Sequence, residues 1–260
     1  MSWFPQIGAG SVAQFPVSRS RRWRTITNQM ESTELITLPD AAAGQIEWKL
    51  SYQDLVDAEV ANLSNLFAAS QGEFAAFTFI DPLANLLGWS EGLSQPAWQL
   101  GLLQATAGVS DPLGTQRAWS VANPNPGAQA LQQTLGVSGT YVTCFSAYLR
   151  SNLAGAVTLQ RDGLQAIVNV GPTWKRAYVS GVGPGGAGQS TFSLFLAAGQ
   201  TVDVWGLQVE AQPYPSTYRQ TSAALGIYEE TYFGNDELTI TSTNVGFSSC
   251  KITLSSRVQV

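Results

Sequence analysis

VDVWGLQVEAQPYPSTYRQT, residues Val202–Thr221, begins as a strand and ends as a turn-rich exit. In its first half Trp205, Leu207 and Val209 alternate with Val204, Gly206 and Gln208, so the former row is expected to face a core. Pro213 and Pro215 cannot donate to a ladder and end the pairing. Tyr214 and Tyr218 are then expected to cap the open end of that core. The strand also carries Asp203 and Glu210, and paired carboxylates about 5 Å apart are the working parts of retaining glycosidases. At ~3.3 Å per residue these two lie ~23 Å apart, and their odd spacing sends them to opposite faces. Without a bulge and a sharp bend they cannot act as one pair. The stretch is expected to be a packed strand leaving a β-sandwich.

Upstream of it the same character holds back to about Trp89. The segment is rich in Gly, Gln, Ser, Thr and Ala, and strands are expected at Thr140–Arg150, Ala156–Gln160, Leu164–Val170, Trp174–Ser180, Thr191–Ala198 and Gln200–Glu210. Arg161-Asp162-Gly163 is a tight hairpin signal, and Gly181–Gly188 a flexible loop. Many short strands without helices imply a β-sandwich, with a jelly roll as the expected form.

The flanks read differently. Gln45–Tyr52 (QIEWKLSY) places Ile46, Trp48, Leu50 and Tyr52 on one face of a half-buried strand. Trp23–Asn28 and Glu34–Leu38 are expected strands of the same sheet. In Asp57–Ser70 (DAEVANLSNLFAAS) Val60, Leu63 and Phe67 follow helical spacing, with Asp57 as N-cap and Gly72 as stop. Phe74–Ile80 (FAAFTFI) is a further strand. At the other end Glu237–Thr243 and Ser249–Ser255 form a terminal hairpin, and two strands alone are marginal in water. Their natural recipient is the sheet begun by the first segment. One domain, residues 1–88 and 222–260, is therefore expected to be interrupted by a second, residues 89–221.

Composition removes whole classes of chemistry. The chain has 260 residues, 12% of them charged, a net charge of −5 and no histidine. Ser-His-Asp and Cys-His nucleophiles, histidine metal sites and histidine pH switches are therefore excluded. Cys144 and Cys250 are far apart and form no zinc motif, so buried free thiols are expected, and no cofactor or metal. No apolar run spans a membrane. The start, MSWFPQIGAGS, lacks the pattern of a secretory signal, so synthesis in a cytoplasm is expected.

Two motifs stand out. Arg19–Arg24 (RSRRWR) puts Arg19, Arg21, Arg22 and Arg24 around Trp23. Phosphate or nucleic-acid contact is one reading, and ion pairing with a neighbouring subunit the other. The acidic net charge favours the subunit contact. Trp174–Ser180 (WKRAYVS) alternates Trp174, Arg176 and Tyr178 onto one face. That row could stack on sugar rings and bond their hydroxyls; alternatively Trp174 and Tyr178 are core and Arg176 snorkels. The Gln-rich Ala128–Thr134 (AQALQQT) is a compositional source of amide groups.

The pattern SRSRRWRT, IEWKLSYQDL, DAEVANLSNLF and GEFAAFTFIDP, with the closing SCKITLSSR, resembles the base domain of distal or minor tail proteins of long-tailed bacteriophages. The middle, through WKRAYVS and VWGLQVEAQPYPSTY, is similar to carbohydrate-binding jelly rolls carried by phage tail proteins, although Gln212-Pro213 stands where a glycine would be expected after Glu-Ala. The resemblance implies a mainly β chain: a split-barrel-like β domain with one α-helix, interrupted by an inserted jelly-roll β-sandwich. It implies a homohexameric ring in the virion tail tip, joining the tail tube protein to baseplate hub proteins, with DNA only as lumen cargo and host-surface glycan as a further partner. On it, Arg19, Arg21, Arg22, Trp23 and Arg24 are subunit-interface residues, Trp174, Arg176 and Tyr178 carbohydrate-binding residues, and no catalytic residue is expected. The competing expectation is a stand-alone carbohydrate-binding module without an assembly role.

Overall fold

Ile46, Trp48, Leu50 and Tyr52 are all buried, which fixes the inward face of the first sheet. The computed structural model describes residues 2–8, 10–184, 188–223 and 225–258. Among them, residues 2–8, 12–80 and 228–258 form one compact unit, and 10–11 with those of 81–227 form another. The divisions fall at 80/81 and 227/228 rather than at 88 and 222. The reason is main-chain bonding: Asp81 N donates to Gly226 O at 2.8 Å and Leu86 N to Val209 O at 2.8 Å.

The first unit opens with β1 (Ser18–Gln29), β2 (Leu35–Leu55), α1 (Asp57–Ser70) and β3 (Phe77–Ile80). It resumes with β13 (Ile227–Phe233), β14 (Ile240–Asn244) and β15 (Phe247–Arg257), the strands β4 to β12 belonging to the second unit. Its sheet runs β1-β2-β15-β13-β3, with β14 on β15. The closing hairpin is thus part of the sheet begun before residue 81: Leu254 of β15 faces Trp48 and Lys251 faces Ser51. Two expected strands, Glu34–Leu38 and Gln45–Tyr52, are one continuous β2. Opposite its middle the register of β1 shifts between Arg22 and Arg24, leaving Trp23 bulged. The Trp23 ring lies on Gly44, where an added Cβ would come within 2.7 Å of it.

Helix α1 has the expected bounds but not the expected cap. Val56 is the N-cap, and Glu59 Oε2 accepts its N–H at 2.8 Å, half of a capping box. Gln71 takes the left-handed conformation at the stop, followed by Gly72. Leu63 and Leu66 are buried, and Phe67 meets Phe233 edge-on at 4.9 Å. Strand β3 starts at Phe77, later than expected, because residues 71–75 form a turn in which Glu73 N donates to Asp236 Oδ1 at 2.9 Å. Phe79 and Tyr228 then close on Trp48, with ring centroids 4.9 and 4.7 Å away.

The second unit contains β4 (Gln104–Val109), β5 (Ala118–Ala122), β6 (Gln129–Leu135), β7 (Thr143–Arg150) and β8 (Gly155–Arg161). They are followed by β9 (Leu164–Val170), β10 (Lys175–Gly181), β11 (Ser190–Leu196) and β12 (Thr201–Glu210). One sheet is β10-β7-β12-β5-β4 and the other β6-β11-β8-β9. Leaving β4 aside, the eight strands interleave as two Greek keys, the connectivity of a jelly roll. Phe145 and Phe192 meet between the sheets at 5.9 Å, among buried Leu149, Leu159, Leu194 and Val204. Asp162 and Gly163 both take positive φ in the β8–β9 hairpin. Ala128–Thr134, read only as a source of amides, is mostly strand β6 with Leu131 and Gln133 buried. Of the expected Gly181–Gly188 loop, residues 185–187 lie outside those described.

Arg161 at the end of β8 is fully buried. Its Nη1 donates to the carbonyls of Tyr141 (2.6 Å) and Gly181, and its Nη2 to that of Gly139 (3.1 Å). Asp162 Oδ2 lies 3.7 Å from its Nε.

Candidate functional site

Strand β12 is built around a bulge that reverses part of the sequence reading. Asp203 pairs with Arg150, Trp205 with Tyr148, Gln208 with Ser146 and Glu210 with Cys144, so the register shifts between Trp205 and Gln208. Gly206, at φ 63°, makes that shift. Trp205 therefore shares the outer face with Asp203, Gln208 and Glu210, while Val204, Leu207 and Val209 face the core. Asp203 and Glu210, expected on opposite faces, lie on one. Their partners Arg150 and Cys144 stand ~20 Å apart along β7. Both carboxylates are also engaged. Asp203 Oδ2 accepts Arg150 Nε at 3.1 Å and Nη2 at 2.8 Å. Glu210 accepts Ser216 N at 2.9 Å, the Ser216 hydroxyl and Gln212 Nε2 at 3.1 Å.

The expected Trp174–Arg176–Tyr178 row lies on this outer face, with Ala177 and Val179 buried on the other. Its members do three different things. Trp174 lies under Arg150, whose guanidinium carbon is 4.7 Å from the ring centroid. Arg176 stacks on Tyr148 at 5.3 Å and donates to Ser146 Oγ at 3.1 Å and to the Ser216 carbonyl. Tyr178 is 44% exposed and meets Tyr214, 68% exposed, edge-on at 6.4 Å. The sequence reading missed Tyr148 and Arg150. Their signal is the alternation of Ser146, Tyr148 and Arg150 with apolar residues in TCFSAYLR.

The exit segment explains why Arg176 is not free. After Glu210 the chain folds back over the outer face instead of capping the end of the core. Tyr218 meets Trp205 at 4.7 Å, Arg219 N donates to Gln208 Oε1 at 2.8 Å, and Tyr218 Oη lies 2.8 Å from Ser90 Oγ. Asn85 holds entry and exit together: its Nδ2 donates to Leu207 O (2.9 Å) and Arg219 O (3.0 Å), and its Oδ1 accepts Val209 N (3.0 Å). Beside this clasp Arg117 Nη1 lies 3.4 Å from Glu91 Oε2 and the guanidinium sits 5.8 Å over Trp205. Burial pushes the Glu91 carboxyl above its ordinary range, against the pull of Arg117, Tyr218 and Trp205.

A groove of about 500 Å³ stands open at one end of the sandwich. Its walls are the Ser151–Ala154 loop and the Ala197–Gln200 turn, and Ser120, Thr201 and Asp203 also line it. Small side chains on both walls leave the space.

In the first unit Arg19 and Arg21 stand opposite Trp48 and Ile46, Arg22 opposite Gln45, and Arg24 donates through Nε to Asp40 Oδ2 at 2.8 Å. All of β1 is exposed, and it forms an edge of the sheet. Beyond the bulge β1 and β2 continue as a ribbon on which Ile26 pairs with Leu38 and Asn28 with Ile36. Ile26, Ile36 and Leu38 share one face and are 42, 41 and 51% exposed. The arginines stood out in the sequence; this apolar strip was hidden by the short runs TITNQ and LITL.

Among the described residues no group of three or more histidine, cysteine or carboxylate side chains could hold a metal ion, and no helix is long and apolar enough to cross a membrane. Cys144 and Cys250 are buried free thiols.

No protein-family model matches the sequence, and no curated protein matches it. Solved structures similar to parts of the chain include jelly-roll carbohydrate-binding modules and a phage tailspike domain. The CBM22-1 xylan-binding domain of Paenibacillus barcinonensis Xyn10C is 14% identical, covering 52% of this chain and 97% of that one, at a TM-score of 0.41. The enzymatically active domain of bacteriophage CBA120 tailspike protein 4 is 14% identical at 0.40, covering 51% of this chain. The match spans only 22% of that solved domain's length. TmCBM61, solved with β-1,4-galactotriose, is 12% identical at 0.37, covering 48% and 97%.

Proposed function

We propose that the chain is a structural protein of a bacteriophage tail tip, of the distal tail kind, whose first unit joins copies into a ring and whose second unit is a carbohydrate-binding module. The observation that carries the assembly reading is the β1–β2 ribbon. Two strands alone are marginal in water, yet Ile26, Ile36 and Leu38 leave one face of this pair bare. The arginines of β1 add a direction. Four of the chain's 13 cations sit within Arg19–Arg24, while its carboxylates number 18, so the complementary charge lies on the rest of the same chain. In this reading copies associate head to tail, six to a ring, between the tail tube and the baseplate hub, with DNA passing through the lumen. The location is the virion tail tip, after synthesis in the host cytoplasm.

The second unit would touch a host-surface glycan. The exposed Tyr178–Tyr214 pair, Trp174 under Arg150 and the open groove support this. The reading assigns no catalysis, since Asp203 and Glu210 are both bonded and far apart. Size-exclusion chromatography with light scattering tests the assembly part. Wild type is expected as an oligomer that Arg21→Glu with Arg22→Glu shifts to monomer; unchanged oligomerisation in the double variant would remove the role given to β1.

A further inference from the structure

We infer that the groove at the end of the second unit's sandwich takes the neutral hexose units of a glycan, and that Asp203, Ser120 and Asn152 recognise their hydroxyls. This rests on reading the second unit as a carbohydrate-binding module, and it moves the binding site away from the Trp174–Arg176–Tyr178 row. The row's central arginine is bonded to Ser216 and Ser146 and covered by the exit segment. The groove has no such tenant among the described residues, and its volume of about 500 Å³ falls within the usual range for ligand sites, about 300–1,000 Å³.

Charge selects the ligand. Among the described residues Asp203 is the sole ionisable side chain lining the groove, and its cation, Arg150, is held against Oδ2 by two hydrogen bonds. A phosphate, sulfate or uronate would meet that carboxylate with no free cation on the walls. A neutral sugar would instead donate hydroxyls to Oδ1, which accepts no hydrogen bond among the described residues. The pair with Arg150 holds the carboxylate in one orientation, with Oδ1 left to accept from hydroxyl donors. The Ser120 hydroxyl and the Asn152 amide, likewise without a hydrogen bond there, supply further donors and acceptors. Leu153, 79% exposed, and Ala198 offer apolar surface to the C–H face of a ring. Among the described residues no aromatic side chain lines the groove, so single sugars should bind weakly and several linked units more tightly.

The test is chemical-shift mapping on the full chain, titrated with methyl glucoside, galactoside, mannoside and N-acetylglucosaminide, and with methyl glucuronide as the charged comparison. The expected result is saturable shifts for at least one neutral sugar, centred on residues 151–156 and 197–203. Asn152→Ala should weaken binding about tenfold, Ala198→Trp should fill the groove and abolish it, and the glucuronide should bind more weakly. Shifts centred on Tyr178 and Tyr214 that survive Ala198→Trp would overturn the groove while leaving a carbohydrate-binding module. No shift with any sugar would overturn both. Preference for the glucuronide would overturn the neutral-ligand assignment alone.

Discussion

Tyr218 meets Trp205 edge to face, with ring centroids 4.7 Å apart, and so ties the exit segment to the outer face of the five-stranded sheet. The contact needs the bulge at Gly206, where an added Cβ would stand 3.1 Å from Tyr148 and 3.4 Å from Tyr218. Without it the Trp205 ring would keep Tyr148, 5.1 Å away, and lose Tyr218. With it, the chain's own tail fills the middle of the sheet, and free space is left at the sandwich end and at the Tyr178–Tyr214 edge.

Removing the clasp should be costly. Tyr218→Ala deletes the ring contact and the hydroxyl bond to Ser90, and is expected to destabilise by about 2–4 kcal/mol. Tyr218→Phe loses only the hydroxyl and should cost about 1 kcal/mol. Urea unfolding of the two variants checks the order; equal losses would show that the ring contact carries nothing.

Arg161 tests the interior. Its guanidinium satisfies the carbonyls of Tyr141, Gly139 and Gly181 at a fully buried position. Arg161→Leu removes the guanidinium's hydrogen bonds to those buried carbonyls and should cost about 2–4 kcal/mol, read as a fall in the thermal midpoint. Arg161→Lys restores charge but not the fork, and should recover only part of it.

Much of this was legible and some was not, for physical reasons. The alternation of QIEWKLSY and the spacing of DAEVANLSNLF declared the first sheet and its helix because burial there is one-sided. Strand β6 was missed because Ala and Gln have low strand propensity and only two of its side chains are fully buried toward the core as leucines. The face of Trp205 was misjudged because strict alternation ignores a bulge, and a single glycine inside a strand is the sole local mark of one. The groove was invisible for a different cause: most of its lining is alanine, glycine and serine, whose importance is the space they leave.

Acidity should act through Glu91. Its carboxyl is held above the ordinary range by burial, so the folded state binds that proton more tightly than the unfolded chain. Its contribution to stability is therefore full below the unfolded value near 4.5 and is lost as pH rises through the higher folded value. Relative to Glu91→Gln, wild type should lose stability on going from pH 4 upward. Parallel stability curves for the two would contradict the assignment.

The thiols should be inert. Burial pushes Cys144 up to about 12 and Cys250 up to about 11, leaving little thiolate at neutral pH. Neither is expected to react with iodoacetamide at pH 8 in the native protein, and both should react in denaturant. Rapid native labelling at either position, read by mass spectrometry, would show that its surroundings open.

The central claim is that Ile26, Ile36 and Leu38 are covered by another copy of the chain. Negative-stain imaging of the purified protein, beside an Ile26→Ser, Leu38→Ser variant, tests it most directly. Closed rings of wild-type copies that the double variant fails to form are the predicted result. Single copies of wild type at every concentration, indistinguishable from the variant, would contradict it.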